Sequence, residues 1–127
     1  MNLQFILAVA AGGACGAVGR YLAGIGAGKL FGTEFPWGTL IINVTGSFLI
    51  GLFASLFATR WDLSQAARIF LTVGVCGGYT TFSTFSLDSF YLMERGELLM
   101  AGAYMAASVI LSIGALIAAM HMDRLLP

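Results

Sequence analysis

Long apolar runs alternate with short polar breaks along this chain. Leu3 to Gly28 is one run, with Arg20 as its sole charge, and Trp37 to Thr59 is a second without any charge. Ile69 to Leu87 is a third, extendable past Asp88 to Met93, and Leu98 to Met120 is a fourth. A helix needs about 20 apolar residues to cross the hydrocarbon core of a bilayer. The pattern therefore predicts four transmembrane helices, over 3–28, 37–59, 69–93 and 98–120. The breaks at 29–36, 60–68 and 94–97 hold most of the other charges and leave no room for a soluble module. Residues 1–127 read as a single all-α integral membrane domain. Trp37 and Trp61 lie 24 residues apart. At the rise of a helix that is roughly 36 Å, which suits an aromatic belt bracketing the second span. Pro36 fits just outside a helix start, and Asp62 or Ser64 can cap the third helix.

Composition narrows the class further. Of 127 residues, 59% are hydrophobic and 9% are charged, where a soluble domain has about 25% charged. A monomer of this size cannot hide so much apolar surface, so an ordinary soluble globule and a disordered chain are excluded. The six basic and six acidic residues cancel, which leaves no basic patch for nucleic acid. Cys15 and Cys76 sit in apolar stretches without partners at metal-ligand spacing and read as buried, inert thiols. Met1-Asn2-Leu3-Gln4 has no positive n-region, so a cleaved signal peptide is not expected. His121 reads as an interfacial residue closing the last helix.

With four spans, the N-terminus, the middle loop and the C-terminus share one side. That side holds Arg60, Arg68 and Arg124; the other holds Lys29 and Arg95, joined by Arg20 if it reaches the far end of the first span. Lys/Arg asymmetry sets membrane orientation, and this chain has almost none. Both orientations, and a two-fold pairing of them in an antiparallel dimer, are compatible with the balance; so is a weakly biased single topology.

Small and polar residues recur at helical spacing. Ala8, Gly12, Gly16 and Gly19 flatten one face of the first span, and Asn43, Ser47, Gly51 and Ser55 recur every four residues on the second. Such faces let membrane helices approach closely. A mid-span amide is costly unless hydrogen-bonded, so Asn43 is either interhelical glue or a lining donor. Tyr104, Ser108 and Ser112 make a similar track on the fourth span. The third span carries the strongest signal, Gly77-Gly78-Tyr79-Thr80-Thr81-Phe82-Ser83-Thr84-Phe85-Ser86, with six hydroxyls in ten residues. Paired glycine followed by β-branched threonine is poor helix material. A break here frees backbone groups at membrane depth, tolerated where they are buried in protein, face water or bind an ion.

Those residues resemble a known family. Pro36-Trp37-Gly38-Thr39-Leu40 leading to Asn43, and the run from Gly77 to Ser86, are similar to the CrcB/Fluc fluoride channels. Gly12-Gly13 leading to Gly16 and Arg20 resembles their first helix, and Glu94-Arg95-Gly96 their short last loop. The resemblance implies a fluoride-selective channel of the bacterial cytoplasmic membrane that exports fluoride passively and lowers its intracellular level. It further implies an antiparallel, dual-topology homodimer with two pores. It also implies a structural sodium ion at the dimer interface, held by backbone carbonyls of Gly77 and Thr80 from each copy and not transported. The family's pore phenylalanines map to Phe82 and Phe85, its pore asparagine to Asn43, and its polar track to Tyr104, Ser108 and Ser112. Hydroxyls of Thr81, Ser83 and Thr84 lie nearby, and Arg20 and Asp88 fall to the vestibule. Three positions depart from the family pattern: Tyr79 and Val44 stand where leucine is more usual, and Asp88 where glutamate is.

The chemistry of the ion agrees with these residues. Fluoride is small and strongly hydrated, so a selective pore must replace water with donors. An amide, hydroxyls and the positive edges of phenyl rings supply them without a fixed cation that would hold the ion too tightly. Three other readings fit less well. A small four-span cation antiporter needs a membrane-embedded acid, and the first two spans have none. In a non-transporting assembly subunit the stripes would be packing only. An intramembrane enzyme needs a nucleophile–base pair or a metal cluster, which one terminal His and two scattered Cys do not supply.

Overall fold

The computed structural model describes residues 2–125, and they are all-helical. Helices α1 (Leu3–Phe31) and α2 (Trp37–Thr59) are continuous. The third predicted span is a run of pieces: α3 (Gln65–Ile69), a π-helical segment (Phe70–Cys76), α4 (Gly77–Tyr79) and, beyond Thr80 and Thr81, α5 (Phe82–Glu94). Helix α6 (Leu98–Met122) follows and ends in a 3₁₀ turn, Asp123–Leu125. Among the described residues, α1, α2 and α6 are long and apolar enough to cross a membrane. The third span is bent and interrupted, so the expectation of a helix broken at its centre holds, with an unexpected π-helical stretch just before the break.

Local signals set most of these limits. The Asn2 side chain caps α1 by accepting from Gln4 N at 2.8 Å, and Ser64 caps α3 by accepting from Ala67 N at 3.2 Å. Pro36 stands immediately before α2. Helix α1 runs three residues beyond the expected limit, placing Lys29 in its last turn, where a cation meets the helix's negative end. It stops at Gly32, whose φ of 81° L side chains rarely adopt. Arg95 donates to the Glu34 carbonyl at 2.6 Å and to Glu97 at 2.9 Å. Loops 32–36 and 95–97 therefore meet at one end, as an even number of crossings requires. Cys76 is buried as expected; Cys15 is not, because its side of α1 faces away from the bundle.

Backbone-to-backbone packing fixes the broken span. A methyl at Gly12 would meet the Phe70 carbonyl and lie 2.9 Å from the Gly74 Cα. One at Gly16 would meet the Val75 carbonyl and lie 2.8 Å from Tyr79 N. A methyl at Gly78 would in turn lie 2.6 Å from the Gly13 carbonyl. The glycine face of α1 thus lies directly on the π segment and α4. On the other side α2 lies along α6, where Gly51 faces the Leu116 backbone and Ser55 Oγ donates to the Met120 carbonyl at 3.2 Å. Gly16→Ala is expected to destabilise the protein by about 1–3 kcal/mol, because backbone cannot rotate away from an added methyl. Gly13→Ala, with open space at that position, is the near-neutral control. Thermal unfolding of both variants in detergent checks this.

Candidate functional site

The break is built by two side chains that take over the duties of helical hydrogen bonds. In a continuous helix the Thr81 amide would donate to Gly77, four residues back. Instead Thr81 N donates to Asn43 Oδ1 at 2.8 Å, and Asn43 Nδ2 donates to the Thr81 carbonyl at 3.0 Å. The Thr84 amide would likewise serve the Thr80 carbonyl; it donates to Thr81 Oγ1 at 3.2 Å, with Thr81 as the N-cap of α5. Thr80 and Thr81 are extended, with ψ of 157° and 120°. The four carbonyls from Gly77 to Thr80 therefore lose their helical i+4 donors, Gly77 and Thr80 among them. Upstream, Arg20 Nε donates to the Gly78 carbonyl at 3.2 Å, and Thr80 N and Oγ1 both donate to the Cys76 carbonyl, at 3.0 and 2.9 Å.

A groove of about 370 Å³ opens beside the break. It gathers Asn43, Gly77, Thr80, Thr81, Phe82, Phe85, Ser108 and Ser112, and among the described residues no charged side chain lines it. The hydroxyls of Ser108 and Ser112 are buried and have no hydrogen-bond partner among the described residues. A serine in a helix usually satisfies itself on the i−4 carbonyl; these two do not, and both residues line the groove. Phe82 and Phe85 stand with ring centroids 5.6 Å apart, and Phe82 is 78% exposed. The amino end of α5 points toward the groove and supplies the partial positive charge of a helix N-terminus.

A second cavity of about 470 Å³ lies on the other side of Thr81 and is lined by Arg20, Thr39, Thr84 and Asp88. It joins opposite charges to hydroxyls, as a vestibule would. Ser83 and Tyr104 line neither cavity. Ser83 Oγ lies 3.3 Å from Thr81 Oγ1, while Tyr104 is fully buried and donates to Asp88 Oδ2 at 3.1 Å. Its ring packs on Phe85 at 5.3 Å and edge-on to Phe35 at 5.5 Å. Tyr104 is thus a strut between Phe85 and Asp88. Ser47 and Thr39 also reach the cavities. Their spacing of four residues on either side of Asn43 was the available signal for them. Arg20 sits at the break and does not reach the far loop, so Lys29 and Arg95 are the basic residues near that end; the imbalance against Arg60, Arg68 and Arg124 is still one charge.

A bent helical bundle with three membrane-span candidates and a groove lined by an amide, hydroxyls and phenyl rings has the build of a multi-pass membrane protein. Comparison with known proteins is specific. Residues 7–120 match the family model described as CrcB-like protein, Camphor Resistance (CrcB). The fluoride-specific ion channel FluC 1 of Nitrobacter hamburgensis is 71% identical over 126 residues, covering 99% of this chain and 100% of that protein. FluC of Nitrobacter winogradskyi is 70% identical over the same length and coverage. FluC of Rhodospirillum centenum is 53% identical over 122 residues, 96% of this chain and 97% of that protein. The chain belongs to the CrcB family of multi-pass membrane proteins.

Proposed function

We propose that this chain is a fluoride-selective channel that lets fluoride leave the cell passively across the cytoplasmic membrane. The observation that carries the reading is the groove itself. Two serines with unpartnered hydroxyls, two phenylalanines and the N-cap of α5 line it together, and among the described residues no charged side chain does. The relatives named fluoride-specific channels, near 70% identity, supply the identity of the ion. Fluoride enters through the vestibule of Arg20, Thr39, Thr84 and Asp88, and passes to the Asn43 amide and the Thr81 hydroxyl. It then moves along Phe82 and Phe85 opposite Ser108 and Ser112. Each group offers part of a hydration shell, and several weak sites in sequence allow release.

An open groove with unspent donors is unsuited to lipid. A second copy in antiparallel orientation closes it, giving a dual-topology homodimer with two pores; the near balance of basic residues between the two ends supports that pairing. The Gly77 and Thr80 carbonyls, released from helical bonding, suit a sodium ion when contributed by both copies. Gly77 is exposed on the single chain, as a group shared between copies must be. When bound, the sodium supplies a fixed positive field and joins the broken helices, and it is not transported.

Fluoride-electrode efflux from liposomes holding the purified protein tests the reading. Rapid fluoride efflux with little chloride efflux is expected, falling when sodium is removed from both sides. Equal fluoride and chloride fluxes defeat the selectivity.

A further inference from the structure

We propose that Tyr79 is a positioning residue for the carbonyls of the break, acting through a hydrogen bond to Thr45; the proposal rests on the sodium reading above. Tyr79 ends α4, and the carbonyls of Gly77 and Thr80, two of those the break releases, flank it in sequence. Its ring lies between two glycines on different helices. Tyr79 Cδ1 is 3.7 Å from the Cβ position of Gly19 on α1, and Cδ2 is 3.1 Å from that of Gly46 on α2. The phenol oxygen is 2.9 Å from Thr45 Oγ1. The direction of that bond follows from proton count. A threonine hydroxyl has one proton, and that of Thr45 is directed at the Ile41 carbonyl, 2.7 Å away. Tyr79 is therefore the donor and Thr45 the acceptor.

This bond gains its meaning from its neighbour. Asn43 holds Thr81 through both amide groups, and two residues along the same helix Thr45 holds Tyr79. Thr80 lies between the two attachments, so its carbonyl is fixed from both sides. A cation site made only of backbone oxygens has no side chains to adjust. Its affinity depends on how closely the carbonyls are held before the ion arrives, since ordering them on binding costs affinity. A phenylalanine or leucine at position 79 keeps the apolar contact with Gly19 and Gly46 and loses the attachment to Thr45. The anion donors of the groove do not include Tyr79, so the effect falls on the cation and spares anion selectivity.

The test is sodium-dependent thermal stabilisation of the purified full chain in detergent, titrated at constant ionic strength with choline as the replacement cation. Wild type, Tyr79→Phe, Thr45→Val, the double variant and Tyr79→Leu are compared, with fluoride efflux at saturating sodium as a second readout. One neutral hydrogen bond corresponds to about a three- to tenfold change in a binding constant. The expected result is a rise of that size in the sodium concentration giving half-maximal stabilisation, for Tyr79→Phe and Thr45→Val alike. The double variant shifts no further than either single one, and efflux at saturating sodium stays close to wild type with fluoride still preferred over chloride. A sodium midpoint unchanged in Tyr79→Phe and Tyr79→Leu, with wild type responsive, overturns the role of Tyr79 alone. A wild-type protein whose melting ignores sodium overturns the sodium reading and this proposal with it.

Discussion

Isoleucine at position 82 or 85 is expected to reduce fluoride efflux to that of protein-free liposomes, with the protein still folded and eluting at the wild-type position. The two positions differ in what the substitution disturbs, and the agreement between them is the informative result. Phe82 is the first residue of α5 and is largely exposed in the groove, so its ring contributes little to the packing of its own chain. Phe85 is partly buried against Tyr104, and isoleucine there also loosens the strut that reaches Asp88. Isoleucine keeps an apolar side chain of comparable bulk and removes the one feature an anion can use, the positive edge of the ring. If the rings only filled space, Phe82→Ile would conduct nearly normally, and wild-type efflux in that variant would sink the assignment. Detergent-solubilised size-exclusion chromatography of the same preparations separates loss of conduction from loss of assembly.

Much of this site was legible because its chemistry is local in sequence. Gly77-Gly78 and Thr80-Thr81 announce a break, Ser64 a cap and Pro36 a start, and each signal acts within a few residues. Two features were hidden for definite reasons. The π segment Phe70–Cys76 reads in sequence as ordinary apolar helix. Its bend is tied to the direct contact of Gly74 with Gly12, far away in the chain. The four-residue stripes also promised more than they delivered. Each step of four residues turns a helix about 40° past a full circle, so a stripe of three or four positions winds onto a new face. Asn43 and Ser47 line the groove, while Gly51 and Ser55 have turned to meet α6. By the same drift Ser108 and Ser112 line the groove, while Tyr104 is turned inward to Asp88.

Asn43 is interhelical glue, clamping Thr81, and it also lines the groove. The amide nitrogen carries two protons; one bonds the Thr81 carbonyl, and the residue lines the groove, where the second can serve the ion. Asn43→Ala is therefore expected to abolish efflux and to lower stability together. It strands the Thr81 amide and carbonyl at membrane depth, at about 1–3 kcal/mol for each unsatisfied group. Two such losses are a large share of a typical stability of about 5–15 kcal/mol. Asn43→Asp separates the two duties. A protonated carboxyl can accept from Thr81 N and donate to the Thr81 carbonyl, so the clamp survives while the side chain is neutral. Ionisation removes the donor and sets negative charge against both that carbonyl and the permeating anion. Efflux through Asn43→Asp is expected to persist at low pH and to fall as pH rises, while wild type changes little over the same range. An Asn43→Ala protein that melts like wild type yet fails to conduct would show that the clamp on Thr81 contributes nothing, and that the amide serves the ion alone.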